Sequence, residues 1–326
     1  MRHRFQHILE YAALRGFAAC LNMLPYRVAL TAAWCAARLV FHVFRFRRRE
    51  TLRRIRQVFG ADLPARQAKR IAWLSLRNMA FNGVEMMRAP MIDTAWVDRH
   101  IPGFKAHIPV VQALIAQYGG AVITVPHMGN WDLAGWACHR YGIKMFSIAG
   151  KQKNPLVNGW INRQRESGMT ILERGGGTLR QIIKLLRSGS VLAILPDVRM
   201  PTPDLKIPFL GGTANFGRGM AMFAITAQVP IILAILRRDG WTRHCFDRLP
   251  AILPDPSLDK DQAARRLTEE VITQVDAAIR QAPEQWFWYN KRWVLTPIRE
   301  DTPTAGSPDS SAAPIYPHPF PDLKGK

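Results

Sequence analysis

Short apolar runs alternate with amphipathic stretches along the middle of the chain, and this alternation limits the fold more than any other feature. Between residues 121 and 236 the runs AVITV, IKMFSIA, MTILE, SVLAIL and VPIILAIL have the length of strands, and helical patterns separate them. Strands that alternate with helices build a parallel or mixed sheet covered by helices. We therefore predict a single α/β domain over residues 57–300, with a mostly parallel or mixed central sheet flanked by helices.

Polar residues follow two of these predicted strands at the point where each strand ends. His127 follows AVITV after Pro126, and Asp197 follows SVLAIL after Pro196. In open α/β sheets, ligands bind beyond the carboxyl ends of the strands. Both residues are therefore candidates for a functional site.

The segment TVPHMGNWDLAG, residues 124–135, carries the first candidate chemistry. We predict that His127 lies before a helix that begins at Trp131, with Asp132 in its first turn. A carboxylate there could accept a hydrogen bond from one ring nitrogen, fix the tautomer and leave the other nitrogen free to take a proton. The alternative is that both residues are hydrogen-bonded within the protein and have no catalytic role. Residues five apart do not share one helix face, so the two could pair only if His127 lies outside the helix.

Other catalytic signatures are missing from the sequence. It contains no GxSxG, HExxH or Walker motif and no GxGxxG placed between a strand and a helix. The four cysteines are scattered without a CxxC pair, which argues against a zinc knuckle or a disulfide framework. We expect no metal and no cofactor. A base without an enzyme nucleophile suits direct attack by a substrate hydroxyl on an activated ester or thioester.

An apolar segment followed by clustered arginines marks the N-terminal part. Residues 28–44 are apolar apart from Arg38 and His42, and they are short for a membrane-spanning helix, which needs about 20 residues. Seven arginines follow within residues 45–56. We predict that residues 1–56 form a membrane anchor, either spanning or in the interface, with a basic segment that faces anionic headgroups. A net charge of +21 also allows a non-catalytic protein that binds nucleic acid, but the adjoining apolar segment favours a membrane.

Three further segments have a recognisable composition. The stretch 197–219 exceeds twenty residues with little regular pattern, which predicts an ordered binding loop. The aromatic and basic stretch PEQWFWYNKRW, residues 283–293, is either an edge of the core or a substrate-side surface. Residues 301–326 are rich in Pro, Ser and Asp, which predicts a disordered tail.

With these motifs in place, the chain resembles the bacterial late lipid A acyltransferase family, within the HxxxxD glycerolipid acyltransferase superfamily. His127 to Asp132 match the HxxxxD motif. Four more blocks resemble the family in the same order: NPLVNGWINRQRESGMTIL at 154–172, ILPD at 194–197, IPFLGGTANFGRGMAMFA at 207–224 and PEQWFWYNKRW at 283–293. The resemblance covers roughly residues 8–297.

The resemblance implies an O-acyltransferase bound to the bacterial inner membrane, with its catalytic domain on the cytoplasmic side. The donor would be an acyl thioester on acyl carrier protein or coenzyme A. The acceptor would be a hydroxyl of a lipid A precursor or a related glycolipid, with His127 and Asp132 as the base dyad. A different lipid acceptor and hydrolysis of the thioester by water stay open as alternatives, as does the oligomeric state.

The resemblance also assigns substrate-binding candidates, namely Asn130, Arg163, Arg165, Asp197 and Gly211. Arg163 and Arg165 are two residues apart, so on a regular helix they diverge by about 200° and cannot both face one phosphate. We expect Arg163 to be the principal site residue and Arg165 to be the second choice. Asp197 would either orient one of these arginines or cap the loop that follows it.

Overall fold

The computed structural model describes residues 4–150, 153–173 and 178–297. The α-helices of this part of the chain are α1 (Phe5–Met23), α2 (Tyr26–Arg38), α3 (Arg48–Phe59), α4 (Ala65–Met87), α5 (Thr94–His100), α6 (Ile108–Tyr118), α7 (Trp131–Arg140), α8 (Pro155–Glu166), α9 (Thr178–Leu186), α10 (Gly219–Ala227) and α11 (Lys260–Gln281). The strands are β1 (Ala121–Thr124), β2 (Met145–Ala149), β3 (Thr170–Glu173), β4 (Val191–Ile194), β5 (Leu205–Phe209), β6 (Gly212–Phe216), β7 (Ile231–Asp239) and β8 (Arg243–Arg248). The tail predicted for residues 301–326 lies outside the described residues.

Six of the described strands form one sheet in the order β3–β2–β4–β1–β7–β8. Every neighbouring pair is parallel except β7 and β8, which are antiparallel. The central strands are short runs of buried apolar residues, as parallel strands covered on both faces must be. The predicted α/β fold, with a mostly parallel sheet flanked by helices, is confirmed.

Two apolar clusters cover the opposite faces of this sheet. Val122 packs into one cluster and Ile123 into the other, because successive side chains of a strand point to opposite faces. The first cluster includes Leu267 and Val271 of α11, four residues apart on one helix face. The second includes Trp136 of α7, which is fully buried. The two clusters thus hold β1 and α7 in place, and with them the segment that joins these elements.

The register of β1 against β4 determines which residues meet at the carboxyl edge of the sheet. Thr124 and Ile194, the last residues of these strands, are register partners. The amide of Val125 continues the ladder to the carbonyl oxygen of Ile194 at 3.0 Å. His127 and Asp197 each come three residues after these strand ends. The parallel register therefore carries them side by side.

The prediction that residues 197–219 form an irregular loop is wrong for residues 205–216. Strands β5 and β6 form an antiparallel hairpin there, in which Leu205, Ile207 and Phe209 are buried and alternate with exposed residues. Leu210 and Gly211 at the tip have positive φ angles of 52° and 78°, as a tight two-residue hairpin turn requires. Prolines and glycines in the segment hide the strand alternation from a reading of the sequence.

The N-terminal apolar segment bends instead of forming one straight helix. After α2 the chain continues as a π-helix over Leu39–Val43, and α3 follows. Among the described residues, no single helix is both long and apolar enough to cross a membrane. The bent pair Tyr26–Val43 and Arg48–Phe59, at 87° to each other, reaches the required length and composition together. The predicted membrane anchor thus stays a prediction.

The segment PEQWFWYNKRW belongs to the core and binds helix α3 of the N-terminal part. Trp286, Trp288 and Trp293 are buried, as the core-edge alternative expects. Arg54 of the arginine cluster is 1% exposed and donates from Nη1 to the carbonyl oxygens of Trp288 at 2.9 Å and Asn290 at 2.6 Å. This arginine therefore cannot face lipid headgroups, unlike the prediction for its cluster.

Candidate active site

A histidine and a buried carboxylate meet at the carboxyl edge of the sheet. Nδ1 of His127 lies 2.8 Å from Oδ1 of Asp197, and the His127 amide donates to Oδ2 of the same carboxylate at 2.8 Å. The indole Nε1 of Trp286 donates to this Oδ2 at 2.7 Å. The Asp197 side chain is 0% exposed, whereas that of His127 remains 23% exposed. With Nδ1 held as the donor to Asp197, Nε2 is the nitrogen available to take a proton.

The backbone around His127 is held by strand β7 and by the aromatic segment near residue 286. The carbonyl oxygen of His127 accepts from the amide of Phe287 at 2.9 Å, and the amide of Gly129 donates to the Gln285 carbonyl at 2.8 Å. Gly129 has a φ of 61°, and a Cβ there would lie 1.8 Å from the carbonyl oxygen of Leu236. Only glycine fits this position, so the turn after β1 can approach β7 this closely.

Asp197 strengthens His127 as a proton acceptor. Burial by itself would lower the pKa of His127, but the charge and hydrogen bond of Asp197 outweigh it and raise the pKa above its usual value. The Asp132 charge acts in the same direction, and the Arg165 charge opposes it. Burial would raise the pKa of Asp197, but the charge of His127 and the hydrogen bonds from His127 and Trp286 hold it below its usual value. Asp197 is therefore ready to stabilise an imidazolium.

The predicted hydrogen bond between His127 and Asp132 is wrong. Asp132 lies in the first turn of α7 and accepts from Nε of Arg165 at 3.0 Å. The strand register places Asp197 against Nδ1, whereas α7 directs the Asp132 carboxylate toward α8. Asp132 still lies close enough for its charge to act on His127, so it belongs to the site without orienting the ring. Its assignment as a catalytic residue stays a prediction.

Neither task predicted for Asp197 matches its contacts. It orients the imidazole of His127, and the hydrogen bonds described for its carboxylate come from His127 and Trp286 instead of an arginine. Trp286 is the site residue that the sequence did not single out. The sequence did contain a signal for the pairing of His127 with Asp197. Each of them lies two residues after the end of a predicted strand, so they become neighbours if these two strands pair.

The structure places Arg165, and not Arg163, beside the His127 site, while the expected rank of the two in substrate binding stays a prediction. Arg165 pairs with Asp132 and influences the pKa of His127. Arg163 instead points toward α1, where its Nη2 donates to the hydroxyl of Tyr11 at 3.4 Å. The two side chains have different partners, as their helical spacing predicts. Arg165 is therefore the better candidate for contact with a substrate.

Two predicted substrate residues have structural tasks in the described fold. Asn130 is 2% exposed, and its Oδ1 accepts from the amide of Leu133 at 3.0 Å, which caps α7. Its Nδ2 donates to Oε2 of Glu85 at 2.5 Å, so both polar ends are engaged within the protein. Gly211 lies at the tip of the β5–β6 hairpin beside Arg280, where its positive φ accounts for the glycine.

The chain is similar to known acyltransferases. A model of the family described as "Bacterial lipid A biosynthesis acyltransferase" matches residues 2–294. The chain is 22% identical over 218 residues to a phosphatidylinositol mannoside acyltransferase of Mycobacterium tuberculosis, covering 64% of this chain and 66% of that one. It is 27% identical over 172 residues to a lipid A biosynthesis acyltransferase of Haemophilus influenzae, covering 51% of each.

Among solved structures, the chain is similar to the crystal structure of the 1-acyl-sn-glycerophosphate acyltransferase from Thermotoga maritima. This similarity has 15% identity and a TM-score of 0.36, covering 82% of this chain and 97% of that one. The chain spans just under two thirds of the mycobacterial relative and about half of the Haemophilus relative. The family match extends over nearly all of its 326 residues, however, and the chain belongs to the bacterial lipid A biosynthesis acyltransferase family.

Proposed function

We propose that this protein transfers a fatty acyl group from an acyl thioester to a hydroxyl of a lipid A precursor or a related glycolipid. His127 acts as the general base, and Asp197 orients it. The observation that carries the proposal is the buried Asp197 carboxylate bonded to Nδ1 of a partly exposed histidine, in a chain of this family. The names of the mycobacterial and Haemophilus relatives support a glycolipid acceptor of either kind.

The reaction needs one base and no acyl-enzyme intermediate. Nε2 of His127 takes the proton of the acceptor hydroxyl while the hydroxyl oxygen forms a bond to the thioester carbonyl carbon. Asp197 stabilises the resulting imidazolium through Nδ1. The tetrahedral intermediate then collapses, the carbon–sulfur bond breaks, and the leaving thiolate takes the proton from Nε2. The products are an ester on the acceptor and a free thiol.

The Asp132–Arg165 pair supplies a positive group beside the base. Asp132 holds Nε of Arg165 at 3.0 Å, and the Arg165 side chain is 25% exposed. In the proposed reaction this guanidinium faces a phosphate of the acceptor or the oxyanion of the tetrahedral intermediate. Asp132 then contributes by holding Arg165 in place, and its charge adds to that of Asp197 in favouring protonation of His127.

Exposed apolar side chains on the N-terminal helices support attachment to a membrane surface. Phe5, Leu9, Phe17 and Met23 of α1 are between 55% and 84% exposed, and Val43, Phe44 and Phe46 follow α2 with exposures of 54–69%. Arginines flank the second group. We propose that this apolar and basic surface lies in the cytoplasmic interface of the inner membrane, where it would meet a glycolipid acceptor.

An anionic donor suits the charge of the protein. Acyl carrier protein is acidic and coenzyme A carries phosphates, so a net charge of +21 supports either one. To distinguish the two donors, purified acyl carrier protein loaded with a labelled acyl chain and the matching acyl-coenzyme A are offered separately at equal concentration. The rates of acyl transfer from the two are then compared.

Membrane fractions from cells that express the protein test the proposed reaction. The fractions receive a labelled acyl thioester and either a lipid A precursor or a mannosylated phosphatidylinositol, and mass spectrometry measures the acylated lipid. We expect transfer with the wild-type chain and its loss in His127→Ala. His139→Ala, which changes an exposed histidine of α7, serves as the control and should retain transfer. Unchanged transfer in His127→Ala would contradict the mechanism, and free fatty acid without acylated lipid would indicate a hydrolase.

A further inference from the structure

A fully buried ion pair lies between α4 and β7, next to the turn that carries His127. Oε2 of Glu85 is 2.5 Å from Nη2 of Arg238, and the two side chains are 1% and 0% exposed. Burial would raise the pKa of Glu85, but the charge of Arg238 and the hydrogen bonds from Arg238 and Tyr26 outweigh it and lower the pKa to about 2. Removing either partner would leave an uncompensated buried charge, so the pair holds α4 and β7 in one arrangement.

Two asparagines connect this ion pair to the turn between β1 and α7. Oε2 of Glu85 accepts from Nδ2 of Asn130 at 2.5 Å. Nη2 of Arg238 donates to Oδ1 of Asn82 at 3.0 Å, and Nδ2 of Asn82 donates to the carbonyl oxygen of Gly129 at 2.6 Å. Each partner of the ion pair therefore reaches one of two adjacent residues of the turn.

The turn itself has little room to move. The Asn130 amide donates to the Leu236 carbonyl oxygen at 3.0 Å, and the Gly129 amide donates to the carbonyl oxygen of Gln285. The side chain of Gln285 in turn bonds the backbone of Arg238 twice. Its Oε1 accepts from the Arg238 amide at 2.9 Å, and its Nε2 donates to the Arg238 carbonyl oxygen at 3.1 Å. The network thus holds both the backbone and the side chains of the turn against β7.

The other oxygen of Glu85 is also occupied. The Tyr26 hydroxyl donates to Oε1 at 2.5 Å, and the pKa of Tyr26 lies above its usual value, chiefly because of burial and the adjacent Glu85 charge. Glu85 is thus fixed from α2, from β7 and from the turn at once. A carboxylate fixed from three elements is suited to hold a geometry.

We propose that Glu85 is a positioning residue, whose buried pair with Arg238 holds Gly129 and Asn130 so that the imidazole of His127 meets Asp197. His127 lies two residues before Gly129 in the chain, with Met128 between them. The indole of Trp286, not the Glu85–Arg238 pair, holds Asp197, so a shift of Gly129 and Asn130 changes the distance between His127 and Asp197. This inference rests on the proposed function for its kinetic readout, and a titration of His127 tests it independently of any substrate.

Three substitutions weaken different parts of the network. Asn82→Ala removes the bond to the Gly129 carbonyl. Asn130→Ser keeps an oxygen that can cap α7 and removes the bond to Glu85. Glu85→Gln keeps the size of the side chain and removes its charge. The matched control is Asn78→Ala, because Asn78 is also a buried asparagine of α4 that donates to a backbone oxygen, that of Glu284.

Two readouts separate positioning from stability. One is the pKa of the His127 imidazole, followed by NMR with the signal assigned through His127→Ala. The other is kcat and KM of acyl transfer. A loosened turn returns the pKa of His127 toward its usual value of about 6.5, which is a downward shift because Asp197 raises it in the intact site. A misplaced base lowers kcat by about 10–100-fold with KM close to that of the wild type.

We expect both changes in the three network variants and neither in Asn78→Ala. If Glu85→Gln does not fold, the two asparagine variants decide the question, since each keeps the ion pair. The proposal is overturned if the folded network variants match Asn78→Ala in the pKa of His127 and in kcat. If the wild-type chain transfers no acyl group to any acceptor, the proposed function fails, while the titration still decides whether the network positions His127.

Discussion

Replacing Asp197 by Asn tests which carboxylate serves the base. The substitution keeps the shape of the side chain and removes the charge that faces Nδ1 of His127 at 2.8 Å. The amide can also donate to Nδ1, which would favour the tautomer whose Nε2 carries a proton and cannot accept another. The base is then lost in two ways, through its orientation and through the charge that stabilises the imidazolium.

The size of the effect follows from the distance between the two groups. At 2.8–4 Å and an effective dielectric constant of about 20, a carboxylate stabilises an imidazolium by about 4–6 kcal/mol. Each 1.36 kcal/mol lost from the transition state slows the reaction about tenfold. Because the Asn dipole retains part of the interaction, we expect kcat of Asp197→Asn to fall by about 10³–10⁴-fold, with KM nearly unchanged.

The matched comparison is Asp132→Asn, assayed with the same labelled thioester and acceptor. Asp132 acts on His127 through its charge without a hydrogen bond to the ring, so we expect a smaller loss, of about tenfold. Circular dichroism and thermal unfolding should be used to check that both variants fold. If Asp132→Asn is as inactive as His127→Ala while Asp197→Asn keeps most of its activity, the assignment of Asp197 is refuted.

Three further predictions concern the same site. Trp286→Phe keeps the ring and removes the donor to Asp197, so kcat should fall by about 10–100-fold in the transfer assay, as for the loss of a hydrogen bond to a charged group. Gly129→Ala should abolish soluble expression or transfer, whereas Gly142→Ala, which also has a positive φ but open space around it, should lose stability only modestly in thermal unfolding. The pH profile of kcat/KM should rise through the raised pKa of His127, and in Asp197→Asn the midpoint of this rise should move to lower pH, because the charge that raises the pKa is gone.

The sequence predicts the sheet and most helices because their apolar periodicities are strong. Helix α8 begins where its residues indicate, since Asn154 caps it with bonds to the amides of Leu156 and Val157 and Pro155 occupies its first position. The hairpin over residues 205–216 escapes prediction because its alternation is interrupted by proline and paired glycines. The local sequence pattern thus suffices to predict an element when the residues that end it lie within or next to it.

The pairing of the site could not be read from spacing along the chain. The motif places Asp132 five residues from His127, and this proximity in sequence suggests the wrong partner. Asp197 is seventy residues away and becomes the partner only through the register of β1 and β4. Likewise, the helical spacing of Arg163 and Arg165 shows that they diverge, but it does not show which one faces the site. These choices are made by tertiary packing.

The dependence of the site on the segment near residue 286 has a consequence for when the protein becomes competent during its synthesis. A nascent chain that has reached residue 280 already contains His127 and Asp197, and β1 and β4 can pair. Yet the amide of Phe287, the carbonyl of Gln285 and the indole of Trp286, which hold the two partners, are still to be made. Residues 285–287 must therefore be synthesised before the base is held in place, which delays acyl transfer until the chain can fold around this segment.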